Sequence, residues 1–562
     1  MQTARRLYLY LLSGIGLGVL VSGLSMLLTV LLEQLGLGPR GELGFGGDDP
    51  VRQQLTLASA LTVVALPVWL LHWRAVERSV APDRPDAALE RTSGVRGLYF
   101  AIALGALLLV AATGLASAIE VLVLRVAGSD ELDFRGLGDG LAGALVAGAT
   151  WLYHVRLRTR DWAVSPMSGD GAWLPRAYLY LATFAGLLVL LGAVHGVVEL
   201  IGQLLLDVDP VFVEPGTQPW AFPLATAISG LLAGGAIFIG HTAYAERLVA
   251  DPGWRGASER PARLRLAYFV AVIAVAAGAV IYLVADGLGN ALAAAFGVPA
   301  GVTSAETASL VIIPIAGAVG YGIAWWLHVR RLRAEAEVPE DPGRAPTVGR
   351  LVAYTTSGVG LAFGAVGLVW VVGIFIRATL GGGQVLAGEE TTLRELAQFV
   401  PVTVLGMVVW QWQWTVVNGR WAADPVGEAA STTRRAMLLI VLAASVLAAI
   451  LSTGYIVYRL FGSVFGVEQS SDALGELSLP IAGLLVGIGV ALYHAALLRR
   501  DLGLRTDAEV TPAARVVPAT AMLRLTGPAE ADLDAAVSAL RGHLPAGYAL
   551  EVTGGDARQG AG

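Results

Sequence analysis

Long apolar blocks alternate with short polar connectors along the chain, and each block is long enough to cross a hydrocarbon core of about 30 Å. Twelve occur, near 6–34, 52–78, 97–127, 138–158, 177–206, 220–246, 264–296, 307–333, 350–379, 396–420, 435–463 and 477–499. They predict an all-α polytopic membrane protein with twelve transmembrane helices. The odd-numbered helices, many near thirty residues, are long enough to tilt or project beyond the bilayer. The first block follows Arg5 and Arg6 as a signal peptide would. It lacks a small-residue cleavage site and is too long for a signal core, so it reads as a retained first helix. Helix starts carry local signals: Asp49-Pro50, and the capping-box spacings Thr303-x-x-Glu306 and Thr392-x-x-Glu395. Pro223, Pro314, Pro401 and Pro480 read as early helical positions, where a missing N–H costs least.

Composition agrees with the pattern. Of 562 residues, 55% are hydrophobic and 15% charged, against about 25% charged in a soluble domain. Cysteine and lysine are absent, so all 38 basic residues are arginine. That removes disulfides, thiolate metal sites and Walker lysines together. Neither a His-Glu-x-x-His nor a Gly-x-Ser-x-Gly motif occurs, so an enzyme is the weakest reading. Without a basic, aromatic RNA-binding module, nucleic acid is not an expected partner. The N-terminus, the connectors after even helices and the tail hold 31 arginines, against 7 on the other side. Arginine excess marks the cytoplasmic side, so both termini are expected inside.

The helix ends repeat. Trp69-x-x-His72, Trp151-x-x-His154, Phe238-x-x-His241, Trp325-x-x-His328, Trp410-x-x-Gln413 and Ala491-x-x-His494 recur at intervals of 81–87 residues. Tyr153-His154 leads to Arg160-Asp161 as Tyr493-His494 leads to Arg500-Asp501. The unit is therefore read as one helical hairpin used six times in parallel, over 1–80, 95–162, 175–250, 263–335, 348–421 and 434–501. Gly14-x-x-x-Gly18, Gly230-x-x-x-Gly234, Gly360-x-x-x-Gly364 and Gly483-x-x-x-Gly487 suit close helix packing inside the bundle.

This hairpin starts aromatic-rich (Arg6-Leu7-Tyr8-Leu9-Tyr10; Arg176-Ala177-Tyr178-Leu179-Tyr180) and finishes on Trp/Tyr-x-His. It resembles the bacterial membrane family named domain of unknown function 5671, over most of residues 1–501. The resemblance implies a membrane bundle and brings no activity or catalytic residues. With the arginine asymmetry, it places the chain in the bacterial inner membrane.

Two constellations stand out. His72, His154, His241, His328, Gln413 and His494 share one repeat position. They read as an interfacial belt, with ten of the fourteen tryptophans nearby and imidazoles bonding helix carbonyls. The alternative is a ring of haem or metal ligands; no cofactor and no metal is expected, and Gln413 is a poor ligand. The second constellation is acidic: Glu33, Glu120, Glu199 and Asp286 in outer half-helices, where Arg377 and Arg459 are possible partners. His195, Glu199 and Gln203 share a helix face. With Asp286 and Asn290 in the next repeat's matching segment, they form the candidate transport stripe.

The tail differs in character. Residues 502–519 read as a linker, 520–553 as a small cytoplasmic β-α-β unit, and 554–562 as disordered. Residues 520–553 are the expected contact for a protein partner or for self-association. Three functional classes follow. A non-enzymatic membrane scaffold or sensor leads, a transporter or channel using the stripe is second, and a haem or metal protein is weaker.

Overall fold

The computed structural model describes residues 2–37, 50–128, 136–165, 173–208, 218–298, 303–337, 344–380, 389–465 and 473–510. Among these there is no strand, and the expected β-α-β unit at 520–553 lies outside them. Twelve long helices form six hairpins: α1 Gln2–Leu32 with α2 Pro50–Ser79, α4 Gly94–Val126 with α5 Leu137–Val164, and α6 Trp173–Leu206 with α7 Ala221–Ala250. Then come α9 Arg263–Ala295 with α10 Ser304–Ala336, α11 Arg344–Leu380 with α12 Glu389–Ala423, and α14 Thr432–Val464 with α15 Ala473–Val510. The last helix runs to Val510, so the linker expected from residue 502 is helical over its first half.

Eleven of these helices, not twelve, are long and apolar enough to cross a membrane. The exception is α5. Asp139 and several glycines start it, and His154 with three arginines and Asp161 fill its second half, so no window along it reaches the hydropathy of its neighbours.

The two-helix reading also missed a level of organisation. Among the described residues, short helices stand in the first, third and fifth connectors between hairpins: α3 Ala87–Arg91, α8 Trp254–Glu259 and α13 Pro425–Ala430. They mark three four-helix modules, α1–α5, α6–α10 and α11–α15. Buried clusters centre on the modules and also bridge them: one around Trp73, Tyr99 and Phe100 takes in Tyr178, one around Tyr180, Tyr268 and Phe269 takes in Trp162 and Val352, and one lies around Tyr354, Trp414 and Leu438. Neighbouring modules meet through α4 against α6 and α7, and through α9 against α11 and α12.

Glycine sets how closely the helices approach. A Cβ on Gly114 would lie 2.7 Å from the Gly140 carbonyl oxygen, and one on Gly140 2.7 Å from that of Gly114. In three of the four small-residue pairs, added Cβ atoms would press on a neighbouring helix of the same hairpin: Gly230 and Gly234, Gly360 and Gly364, Gly483 and Gly487. Gly18 has open space instead. The Thr303 capping box forms, with Glu306 N–H donating to Thr303 Oγ1 and Thr303 N–H to Glu306. Thr392 does not cap, because α12 begins upstream at Glu389. Pro314, Pro401 and Pro480 lie inside their helices rather than in the first turn; membrane helices tolerate this because their neighbours re-satisfy freed backbone groups.

Candidate functional site

The repeated histidines do not converge on a common centre. Each binds inside its own hairpin. Nδ1 of His72, His154, His241, His328 and His494 lies 2.7–2.8 Å from the carbonyl oxygen four residues earlier. A carbonyl only accepts, so Nδ1 carries the proton and Nε2 is left as an acceptor. A tyrosine hydroxyl from the facing helix donates to it: Tyr99 to His154, Tyr178 to His241 and Tyr268 to His328 at 3.0 Å, and Tyr8 to His72 at 3.4 Å. Trp151 Nε1–H in turn donates to Tyr178 Oη at 2.8 Å. The ring lone pair a metal would need is therefore taken in four of the six hairpins. Among the described residues no group of three or more His, Asp or Glu side chains is placed to hold a metal. The last two hairpins lack the donor: Val352 and Met437 stand at the tyrosine positions, and His494 Nε2 is buried without a partner.

The aromatic residues near these helix ends differ in burial. His154 is fully buried, and Trp73, Trp162 and Trp414 are core residues, whereas Trp326 and Trp412 are exposed. Trp73 Nε1–H donates to Tyr153 Oη at 2.7 Å, as Trp414 does to Tyr493. In the middle module Thr242 and Leu327 stand at those two positions. A cavity of 590 Å³ occupies that place, lined by both residues, and the Thr242 hydroxyl is buried without a partner.

The largest polar assembly is one that the motif reading did not find. In the first module Arg6 Nε binds Glu90 at 2.5 Å, and Tyr10 Oη–H donates to the same carboxylate at 3.2 Å. Arg96 donates to Tyr10 Oη at 3.1 Å and, through Nε, to Asp161 at 2.8 Å; it also reaches Glu77 at 3.2 Å. The middle module repeats the arrangement. Arg176 and Tyr180 bind Glu259, each at 2.7 Å, and Arg265 reaches Tyr180, Glu335 and Glu246. In the third, Arg350 and Tyr354 bind Glu428 at 2.7 and 2.8 Å, and Arg434 binds Tyr354 and Asp501 at 3.0 and 2.5 Å. Each central arginine is at most 3% exposed. Desolvating a guanidinium that deeply costs several kcal/mol unless partners compensate, and here two or three do.

Each clamp ties two hairpins together through the short connector helix, which carries the glutamate. Local chemistry builds that helix end. Ser93 caps α4 by accepting from Arg96 N–H at 3.3 Å, and Asp424 accepts from Gly427 N–H at 2.9 Å ahead of Pro425. The signal was present: Glu90 and Arg96, Glu259 and Arg265, and Glu428 and Arg434 are each six apart, and successive glutamates are 169 apart.

Comparison with known families agrees with this larger unit. The family model described as "Domain of unknown function (DUF5671)" matches residues 6–149 and 350–489, half of the chain. The chain belongs to the DUF5671 family. The two matched stretches open on Arg6 and Arg350, equivalent arginines of two clamps. Each runs across both hairpins of a module. No curated protein and no solved structure matches the chain.

The candidate transport stripe is only partly assembled. Gln203 donates to exposed Glu199 at 3.3 Å, one turn away on α6. His195 packs over Gly317 of α10, where a Cβ would collide with its ring, and its Nδ1 is buried without a partner. Asn290 ties α9 to α10 by donating to the Asp286 and Leu310 carbonyl oxygens. Among the described residues, no hydrogen bond or ion pair joins Glu199 to Asp286. Nor do the outer arginines serve the acids proposed for them. Arg377 pairs with Glu395 and Arg459 with Glu476, while Glu120 accepts from Thr226 at 3.1 Å.

Proposed function

We propose that this DUF5671 protein is a non-enzymatic membrane scaffold or sensor of the bacterial inner membrane, with both termini cytoplasmic and residues 520–553 as its contact for a partner or a second copy. One observation carries the reading. At the arginine-rich helix ends three deeply buried arginines are spent on acids of the same module in three clamps, and the polar stripe in the outer halves leaves Glu199 facing outward with an intrahelical partner. A proton or ion path needs polar groups that hand over from helix to helix, and the transport reading loses its support where Glu199 and Asp286 stay apart. The decisive test is flux. Proteoliposomes under a pH gradient should show no protein-dependent proton movement, and Glu199→Gln should match the parent. A flux that disappears with Glu199→Gln would establish transport instead.

The same proposal makes α5 the twelfth span. Its support is packing: the Gly114–Gly140 contact lays α5 against α4, which is apolar enough to cross. Reporter fusions after residues 130 and 168 should lie on opposite sides of the membrane, outside and inside. Equal sides would remove α5 from the bilayer and invert every later hairpin.

A further inference from the structure

A second cavity, of 610 Å³, lies between the first two modules, with walls from α4, α5, α6 and α7. Its size falls within the range of about 300–1,000 Å³ typical of small-molecule sites. Apart from one end it is apolar, lined by Leu104, Leu108, Leu115 and Leu145 among others. At that end stands Arg158, 8% exposed, with Trp151, Tyr178 and His241 along the wall. Those three are already joined in a satisfied chain, Trp151 to Tyr178 to His241, at 2.8 and 3.0 Å. Arg158 is not. Its Nε is buried without a hydrogen-bond partner, and its guanidinium lies 5.2 Å over the Trp162 ring. The acid whose charge acts on it, Glu259, is held by Arg176 and Tyr180.

The repeat position makes this cation informative. Four residues after the repeated histidine or glutamine, the other hairpins hold Val76, Ala245, Leu332, Val417 and Leu498, the first four of them buried. The fold needs an apolar residue there. Arg158 departs from that pattern where the position opens on this large apolar cavity. A buried, unpaired charge is strongly destabilising unless something neutralises it, and guanidinium binds phosphate or carboxylate oxygens in preference to other partners.

We infer that this cavity binds an anionic amphiphile, an acyl chain lying between α4 and α7 with its phosphate or carboxylate on Arg158. The ligand supplies the missing counter-charge and fills the apolar volume together. The inference is independent of whether the protein acts as scaffold or transporter. Both a membrane phospholipid and a free fatty acid carry this chemistry.

Native mass spectrometry of the full-length protein, delipidated in a neutral detergent, separates them. Phosphatidylglycerol, oleate and phosphatidylcholine are titrated in turn. The expected result is one bound molecule of phosphatidylglycerol or oleate, with phosphatidylcholine weaker because choline masks its charge. Preference for phosphatidylglycerol assigns the membrane source, and preference for oleate the free acid. Arg158→Leu, the residue of two other hairpins, should weaken binding by at least about tenfold, while Arg158→Lys retains most of it. Gly148→Leu, which fills the tail end of the cavity and leaves Arg158 in place, should weaken binding as much. This second variant decides the matter if Arg158→Leu fails to fold. Equal binding to the parent and to either variant would overturn the inference. So would equal affinity for phosphatidylcholine, or no bound anion in the parent.

Discussion

Arg96→Met should lower the stability of the whole bundle by about 3–5 kcal/mol, the cost of leaving buried charge without its counter-ion. Arg96 is 1% exposed and holds Tyr10, Asp161 and Glu77 at once. Removing it strands the Asp161 carboxylate, whose remaining cation, Arg160, is half-exposed and 3.4 Å away. Arg74→Met, at an exposed position of α2, is the control and should lie within about 0.5 kcal/mol of the parent. Adding Asp161→Leu to Arg96→Met should recover part of the loss, since an apolar pair replaces a broken ionic one at little cost. Thermal unfolding in detergent reads all three. If Arg96→Met melts with Arg74→Met, the clamp contributes nothing to stability.

The second large effect is steric. α11 and α12 cross where Gly406 meets Gly360 and Gly364, and a Cβ on Gly406 would lie 2.7 Å from the Gly364 Cα and 2.8 Å from the Gly360 carbonyl oxygen. Both are backbone atoms, so no side-chain rotation relieves the clash. Gly406→Val should cost about 1–3 kcal/mol or more and separate the third module's first hairpin. Gly18→Ala, with nothing within 4 Å, should be neutral. Limited proteolysis at the 381–388 connector compares the two. Parent-like resistance in Gly406→Val would show that this crossing is not rigid.

The helices were legible because hydrophobic blocks of membrane length are a coarse signal that survives any packing. The recurring helix ends were legible for a similar reason: His154 and His494 share Leu-Tyr-His and an Arg-Asp at the same offset. The four-helix module was not, because its evidence is long-range. Arg96 and Asp161 are 65 residues apart and Arg6 and Glu90 are 84 apart, so neither pair forms a local motif. Glu335 shows the difficulty directly. It occupies the place of Asp161 and Asp501, yet Ala334 precedes it rather than arginine, which hides the match. The histidines were legible in part: their bonds to helix carbonyls were expected, and the facing tyrosines were not. Residue type and depth pointed to a shared belt, but each ring is oriented by the carbonyl behind it and the tyrosine opposite, and only coordinates supply that facing tyrosine. Glu199 and Asp286 were joined by repeat logic alone. Glu199 faces outward in the structure, and repeat equivalence does not imply contact.

The placement of the clamp glutamates on connector helices bears on how the chain is made. When the ribosome has delivered the first hairpin and Glu90, Arg6 and Tyr10 already have their partner, but Arg96 then enters the membrane with Asp161 still unsynthesised. The lock closes only after a further 65 residues have emerged. The order of synthesis therefore completes the first clamp only with the fourth long helix. A nascent chain halted after its third long helix would hold Arg96 with Glu77 and Tyr10 but without Asp161, whereas one halted after its fourth would have every partner of that clamp.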